Sequence, residues 1–195
     1  MFDPGYFTDT DLEKAGFKSL GHNVSIAKNC TIIGTKNISI GNNVRIDGFC
    51  SIIAAGEGFV ELGSYIHIGC YCLLIAGDGV VMKDFSCISH GVKIFSRTDD
   101  FSGEYLTNPT VPEKYTGVTK GQVTLSKHVL IGSNTVILPN VTIGEGSSVG
   151  AQSLVTKPLD SWGVYVGSPV KRIKTRSTRL LELEKQLMKE NAQLL

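Results

Sequence analysis

The chain has 195 residues, a formal net charge of +1 and 19% charged residues, which points to one domain and to no nucleic-acid or polybasic membrane footprint. Its longest apolar runs fall far short of the ~20 residues a spanning helix needs. The first residues, MFDPGYFTDTDLEK, are too acidic and polar for a secretory signal, so a cytoplasmic location is the expectation.

In chain order, residues 1–19 read as a cap. Thr10 followed by Glu13 fits a capping box that opens a brief helix, which Gly16 ends. Such a cap would cover an otherwise open strand edge.

From Leu20 onward every sixth residue is aliphatic: LGHNVS, IAKNCT, IIGTKN, then IGNNVR, IDGFCS, IIAAGE. The pattern resumes from Leu62 and Met82 and returns as LSKHVL, IGSNTV, ILPNVT, IGEGSS, VGAQSL from Leu125. A helix repeats near 3.6 and a half-buried strand at two, so neither explains it. A period of six with Gly after the aliphatic residue marks a parallel β-helix, an all-β solenoid. Three sixes make one triangular coil, and coils are expected from Leu20 to about Val166. Corner insertions are expected at Lys36-Asn37, Ala55–Glu57 and Gly77–Gly79. In this register Cys30, Cys50 and Cys72 occupy one small inward position on successive coils, as reduced thiols acting as small hydrophobes.

His67 precedes the anchor Ile68 and His90 follows the anchor Ile88, so both flank the same corner on adjacent coils. Shortly after, residues 97–122 leave the repeat as a polar, aperiodic excursion carrying Asp99 and Asp100, and the register returns at Val123. A long ordered loop on a rigid scaffold is more often functional than decorative. Two imidazoles beside such a loop fit a general-base site. His22 and His128 lack that company and read as ordinary corner residues. Four histidines that present no two ligands from one coil do not make the three-imidazole zinc site of a hydratase, so no metal is expected. Residues 176–195 form an amphipathic helix with Leu180, Leu183, Leu187 and Leu194 on one side, packing on the coils or on a partner subunit.

The sixes, and above all VTLSKHVLIGSNTVILPNVTIGEGSSVGAQSLVTK followed by YVGSPVKRIK, resemble the hexapeptide-repeat acyltransferases. The repeat resemblance spans residues 20–175, and the loop SRTDDFSGEYLTNPTVP is similar to the dTDP-4-amino-4,6-dideoxy-D-glucose N-acetyltransferase type of polysaccharide biosynthesis. The resemblance implies a left-handed β-helix, a homotrimer, and acetyl-coenzyme A bound in a groove between subunits. It also implies cofactor contacts from Ser133, Ala151, Thr156 and Lys157, with Lys174 reaching the phosphates. The acceptor would be a sugar or nucleotide-linked sugar. Galactoside-type members carry their catalytic histidine inside the loop, where this chain has none. The base is therefore expected at His90 or His67, with Asp99 orienting it or steering substrate. N-acetylation of an amino sugar is the favoured expectation. O-acetylation of a hydroxyl and a non-catalytic binding solenoid are the alternatives.

Overall fold

The structure, a computed structural model, describes residues 4–193. Strands of two or three residues stack into a left-handed parallel β-helix of about seven coils. Its three faces follow directly from the sixes. Leu20, Ile40, Leu62, Met82, Leu125 and Ile143 stand in one column on the first face. Ile26, Ile46, Ile68, Ile88, Ile131 and Val149 form the second. Ile32, Ile52, Leu74, Ile94, Ile137 and Val155 form the third. Ile68, Leu74, Ile88, Ile94, Leu125 and Ile131 are all 0% exposed. Each such side chain stabilises the prism by about 1.5–3 kcal/mol relative to exposure.

The corners need a sharp, repeated bend, and left-handed residues supply it. Between the first and second faces, Asn23, Asn43, Tyr65, Phe85, His128 and Trp162 have φ between 54° and 62°. Between the second and third faces the same role falls to Phe49, Tyr71, Gly91, Asn134 and Gln152. Bulky residues in this region are normally strained. Here most of these backbone N–H groups are fixed to the adjacent coil, as when Tyr71 donates to Gly48 O at 3.1 Å and Asn134 to His90 O at 2.9 Å. The neighbouring coil thus holds the bend in place.

The cap helix α1 spans Asp9–Lys14, but its box is Thr8 with Asp11, not Thr10 with Glu13. Thr8 Oγ1 accepts the Asp11 N–H at 3.2 Å, and Asp11 Oδ2 accepts the Thr8 N–H at 3.0 Å. The shorter carboxylate closes the same reciprocal ring that glutamate usually makes, which starts the helix earlier. Gly16, at φ 71°, follows its C-cap Ala15. Leu12 from α1 is buried in the first coil.

The cysteine column forms as expected, and all five cysteines are free. Cys30, Cys50 and Cys72 donate in turn to the carbonyls of Asp47, Gly69 and Ser89, each at 3.1 Å. The thiols therefore act as weak donors between coils as well as packing groups.

The excursion leaves at a short antiparallel neck in which Arg97 pairs with Lys120 and Thr98 with Thr119. Arg97 ties the neck to the preceding coil through Asp78 Oδ2 at 2.8 Å and Gly77 O at 2.7 Å. The chain rejoins in register, with Val123 beside Val80. The C-terminal helix α2, Leu180–Gln193, lies over the second face. Leu180, Leu183 and Leu187 border a cleft with Phe85, Cys87 and Leu130. Glu184 takes hydrogen bonds with Lys127 and His128, and Asn191 donates to the Tyr65 hydroxyl at 2.7 Å. Leu194 lies outside the described residues. Among the described residues no helix is long and apolar enough to cross a membrane.

Candidate active site

The strand register carries past the second face into the corner that follows it. Cys87 pairs with Leu130 and Ile88 with Ile131, which in turn pair with Ser148 and Val149 on the following coil. His90, Ser133 and Ala151 consequently stand one above another at equivalent turn positions. The Gly132 Cα backs onto this column so closely that an added Cβ would sit 2.5 Å from the Ala151 nitrogen. Small residues here leave a shallow track along the corner, the shape that admits a thin, extended substrate arm against backbone.

At the head of the track, His90 is exposed and its Nδ1 accepts the Cys70 backbone N–H at 3.0 Å. An acceptor at Nδ1 assigns the neutral ring's proton to Nε2. The ring as placed therefore offers a donor, not a free basic nitrogen. Beside it, half-buried Ser89 uses its backbone to join the coils, and its side chain was not among the sequence-derived candidates.

His67 goes elsewhere. It points outward from the second face, with Nε2 2.8 Å from Asp47 Oδ2 and Nδ1 3.7 Å from Cys87 Sγ. Asp47 also accepts from Arg45 Nε at 2.7 Å. Burial pushes the Asp47 carboxyl up, but the bonds from His67 and Arg45 outweigh it and hold the group below its usual range. Both ring nitrogens of His67 are thus engaged within the chain, and the structure does not place it on the track with His90.

Asp99 stands at the loop neck, beside a cleft of about 520 Å³ bordered by Arg97, Pro109, Glu113 and Lys120. The whole width of the third face separates it from His90 in one chain. Its neighbour Asp100 is held below the usual carboxylate range, chiefly by the Ser102 hydroxyl. Thr156 and Lys157 are exposed just after the last strand of the third face, and Lys174 is exposed on the closing hairpin opposite Val164. The structure brings Ser133 and Ala151 together with His90, and leaves Thr156, Lys157 and Lys174 on flanking surfaces. Among the described residues no group of three or more His, Cys, Asp or Glu is placed to hold a metal ion.

The third face differs from the others on its outside. Ile33, Ile53, Leu73, Ile75, Phe95 and Val136 all point outward and are only partly covered, Ile33 being 46% exposed. The first face presents Ser39, Glu61, Val81, Thr124 and Thr142 instead, only one of them aliphatic. Consecutive aliphatic residues such as Ile32-Ile33, Ile52-Ile53 and Leu73-Leu74-Ile75 already signal a strand apolar on both sides.

Residues 123–157 match the bacterial transferase hexapeptide family (six repeats). The chain is 44% identical to a dTDP-4-amino-4,6-dideoxy-D-glucose acyltransferase of Escherichia coli, over 92% of this chain and 93% of that one. It belongs to the hexapeptide-repeat acyltransferases. Its fold superposes with a TM-score of 0.93 on AntD, an N-acyltransferase from Bacillus cereus, in complex with dTDP and 3-hydroxybutyryl-CoA. That pair is 44% identical and covers 96% of this chain and 98% of AntD. A serine variant of AntD with dTDP-4-amino-4,6-dideoxyglucose and coenzyme A gives the same TM-score and identity, over 97% and 100% of the two chains. The protein is therefore an acyltransferase that takes its acyl group from coenzyme A.

Proposed function

We propose that this enzyme transfers an acyl group, acetyl being the expected one, to the 4-amino group of a dTDP-linked 4-amino-4,6-dideoxy sugar. The observation that carries this reading is the 44% identity, over nearly the full length, with a transferase acting on that sugar. A second observation supports a position for the chemistry. Structures of AntD carry substitutions at a serine and at an aspartate ten positions further along. Ser89 and Asp99 are the one serine and aspartate at that spacing in this chain.

Ser89 and Asp99 lie on opposite edges of the third face, and the apolar outside of that face explains how they meet. An uncovered aliphatic sheet face of this kind marks an interaction surface, and other copies of this chain are the proposed partners. Three prisms packed by their third faces around an axis bring the Ser89–His90 corner of one against the loop neck of the next. The assembly is a homotrimer, and each groove holds Ser89, His90, Ser133 and Ala151 from one subunit and Asp99 from its neighbour. Coenzyme A lies along the small-residue track, with Thr156, Lys157 and Lys174 at its polar end. The cytoplasm, where nucleotide sugars and acyl-coenzyme A coexist, is the proposed location.

In the groove the neutral sugar amine attacks the thioester carbonyl. Asp99 takes the amine proton, directly or through the Ser89 hydroxyl. The Nε2–H of His90 donates to the oxyanion of the tetrahedral intermediate, a role worth about 10²–10³ in rate. Collapse expels the coenzyme A thiolate. The histidine expected as base thus serves as donor, because its other nitrogen is occupied by a backbone N–H.

The test incubates the purified protein with acetyl-coenzyme A and a panel of dTDP- and UDP-linked amino sugars and plain glycosides, following thiol release. Release with the dTDP-4-amino sugar supports the proposal. Release with hydroxyl acceptors alone overturns it.

A further inference from the structure

The bonds made by His67 describe a second piece of chemistry, outside the groove. Cys87 Sγ lies 3.7 Å from His67 Nδ1, within reach of a thiol–imidazole hydrogen bond. His67 Nε2 lies 2.8 Å from Asp47 Oδ2, and the Asp47 side chain is 10% exposed. With the Nε2 proton directed at the carboxylate, Nδ1 keeps its lone pair for the thiol. Arg45 and the Tyr6 hydroxyl, at 2.7 and 3.3 Å, fix Asp47 from its other oxygen. A nucleophile, a base and an orienting carboxylate thus follow one another along the second face, the arrangement that activates a thiol.

What stands beside the sulfur points to a substrate. Cys87 borders the cleft of about 320 Å³ between the second face and α2, whose walls include Phe85, Leu130, Leu183 and Leu187. His128, Arg176 and Glu184 also line the cleft, but most of its walls are apolar, and a mostly apolar slot against a sulfur suits an acyl chain. The four remaining cysteines lack this combination: Cys30, Cys50 and Cys72 donate to carbonyls, and none of the four borders the cleft.

We propose that Cys87 is an acyl-accepting thiol, acylated by acyl-coenzyme A with His67 as its base and its acyl chain lodged beneath α2. The proton moves from Sγ to Nδ1 as the sulfur attacks the thioester carbonyl. The carbon–sulfur bond to coenzyme A breaks, and His67 returns the proton to the leaving thiolate. One thioester replaces another, so no oxidant or reductant is required. Burial pushes the Cys87 thiol above its ordinary range. The nucleophile therefore forms by proton transfer during attack and does not stand as a resting thiolate. The inference rests on the chain's use of acyl-coenzyme A and is independent of which sugar it acylates.

The test incubates the full chain with acetyl-coenzyme A, and separately with butyryl-coenzyme A, without a sugar. Peptide mass mapping then follows hydroxylamine-labile acylation at each cysteine. Cys87 is expected to acylate faster than the partly exposed Cys70, and His67→Gln or His67→Ala to slow it by at least ~100-fold. Cys87→Ala is expected to abolish the label while leaving sugar acylation unchanged. Labelling of Cys87 no faster than Cys70, or at an unaltered rate in both His67 variants, overturns the proposal. Sugar transfer measured after the dTDP-4-amino sugar is added to parallel samples separates the two readings: transfer with unlabelled Cys87 removes this inference and leaves the transferase standing.

Discussion

The Nδ1 of His90 accepts the backbone N–H of Cys70 at 3.0 Å, the task that Asn42 Oδ1 performs for His22 and Asp84 Oδ1 for Ser64. A carboxamide at this turn can replace the structural half of the imidazole but not the outward Nε2–H. His90→Asn is expected to keep the melting temperature of the parent and lower kcat by about 10²-fold or more. Steady-state kinetics beside a thermal melt check this. An active Asn variant would show that the ring is only a corner brace.

Asp99→Asn and Ser89→Ala are each expected to lower turnover, with Asp99→Asn losing about 10²–10⁴-fold as a general base does. Subunit mixing gives the sharper measurement. If the two residues meet across subunits, refolding the inactive Asp99→Asn and Ser89→Ala chains together restores activity, because some grooves receive both native residues. No recovery on mixing would place both groups in one chain's site.

Gly34 has φ 80°, and a Cβ added there would lie 2.2 Å from the Ala54 carbonyl oxygen of the next coil. Gly34→Ala is expected to cost at least about 2 kcal/mol, from strain and from a neighbour that cannot move aside. Gly56, at φ 62°, has nothing within 4 Å of such a Cβ, so Gly56→Ala is expected to cost only about 1 kcal/mol. Urea unfolding of both variants measures the difference.

The docking of α2 carries a pH signature. The hydrogen bond from Lys127 holds the Glu184 carboxyl below its usual range; burial opposes this, and the bond from His128 adds to it. A carboxyl lowered in the folded state stabilises above its unfolded value of about 4.3, and that contribution is lost as pH falls through the lower folded value. Helix α2 is therefore expected to loosen on acidification below about pH 4.3, read as protease cleavage near Leu180. Glu184→Gln is expected to lower stability at pH 7 by about 2 kcal/mol and to flatten this acid-dependent loss.

Much of this was legible before any coordinates. The aliphatic sixes gave the columns residue for residue, because a solenoid repeats one local environment and each coil reports the same rule. The cysteine column and the return of the loop at Val123 followed from that register alone. The cap box was misplaced by two residues, since Asp11 can close the ring normally assigned to glutamate. His67 and His90 do not share a corner, because His67 sits between the inward Ile66 and Ile68 and strand alternation turns it onto the outside of the second face. His67 lies on a strand and faces outward, while His90 lies in the turn. Ser89 gave no signal of its own in a chain where serine is common at corners, and only its spacing to Asp99 marked it out. That the third face lies between those two residues follows from the strand order, Ser89 preceding and Asp99 following the third-face strand Lys93–Phe95.

The loop neck has a consequence for what the fold tolerates. Arg97 and Lys120 close the excursion on itself, and Val123 resumes the first-face column beside Val80 as though nothing had intervened. Most residues from 101 to 120 are exposed and contribute little to the aliphatic columns. Substitutions within them are therefore expected to be nearly neutral for folding, and the whole segment can be exchanged without rebuilding a core.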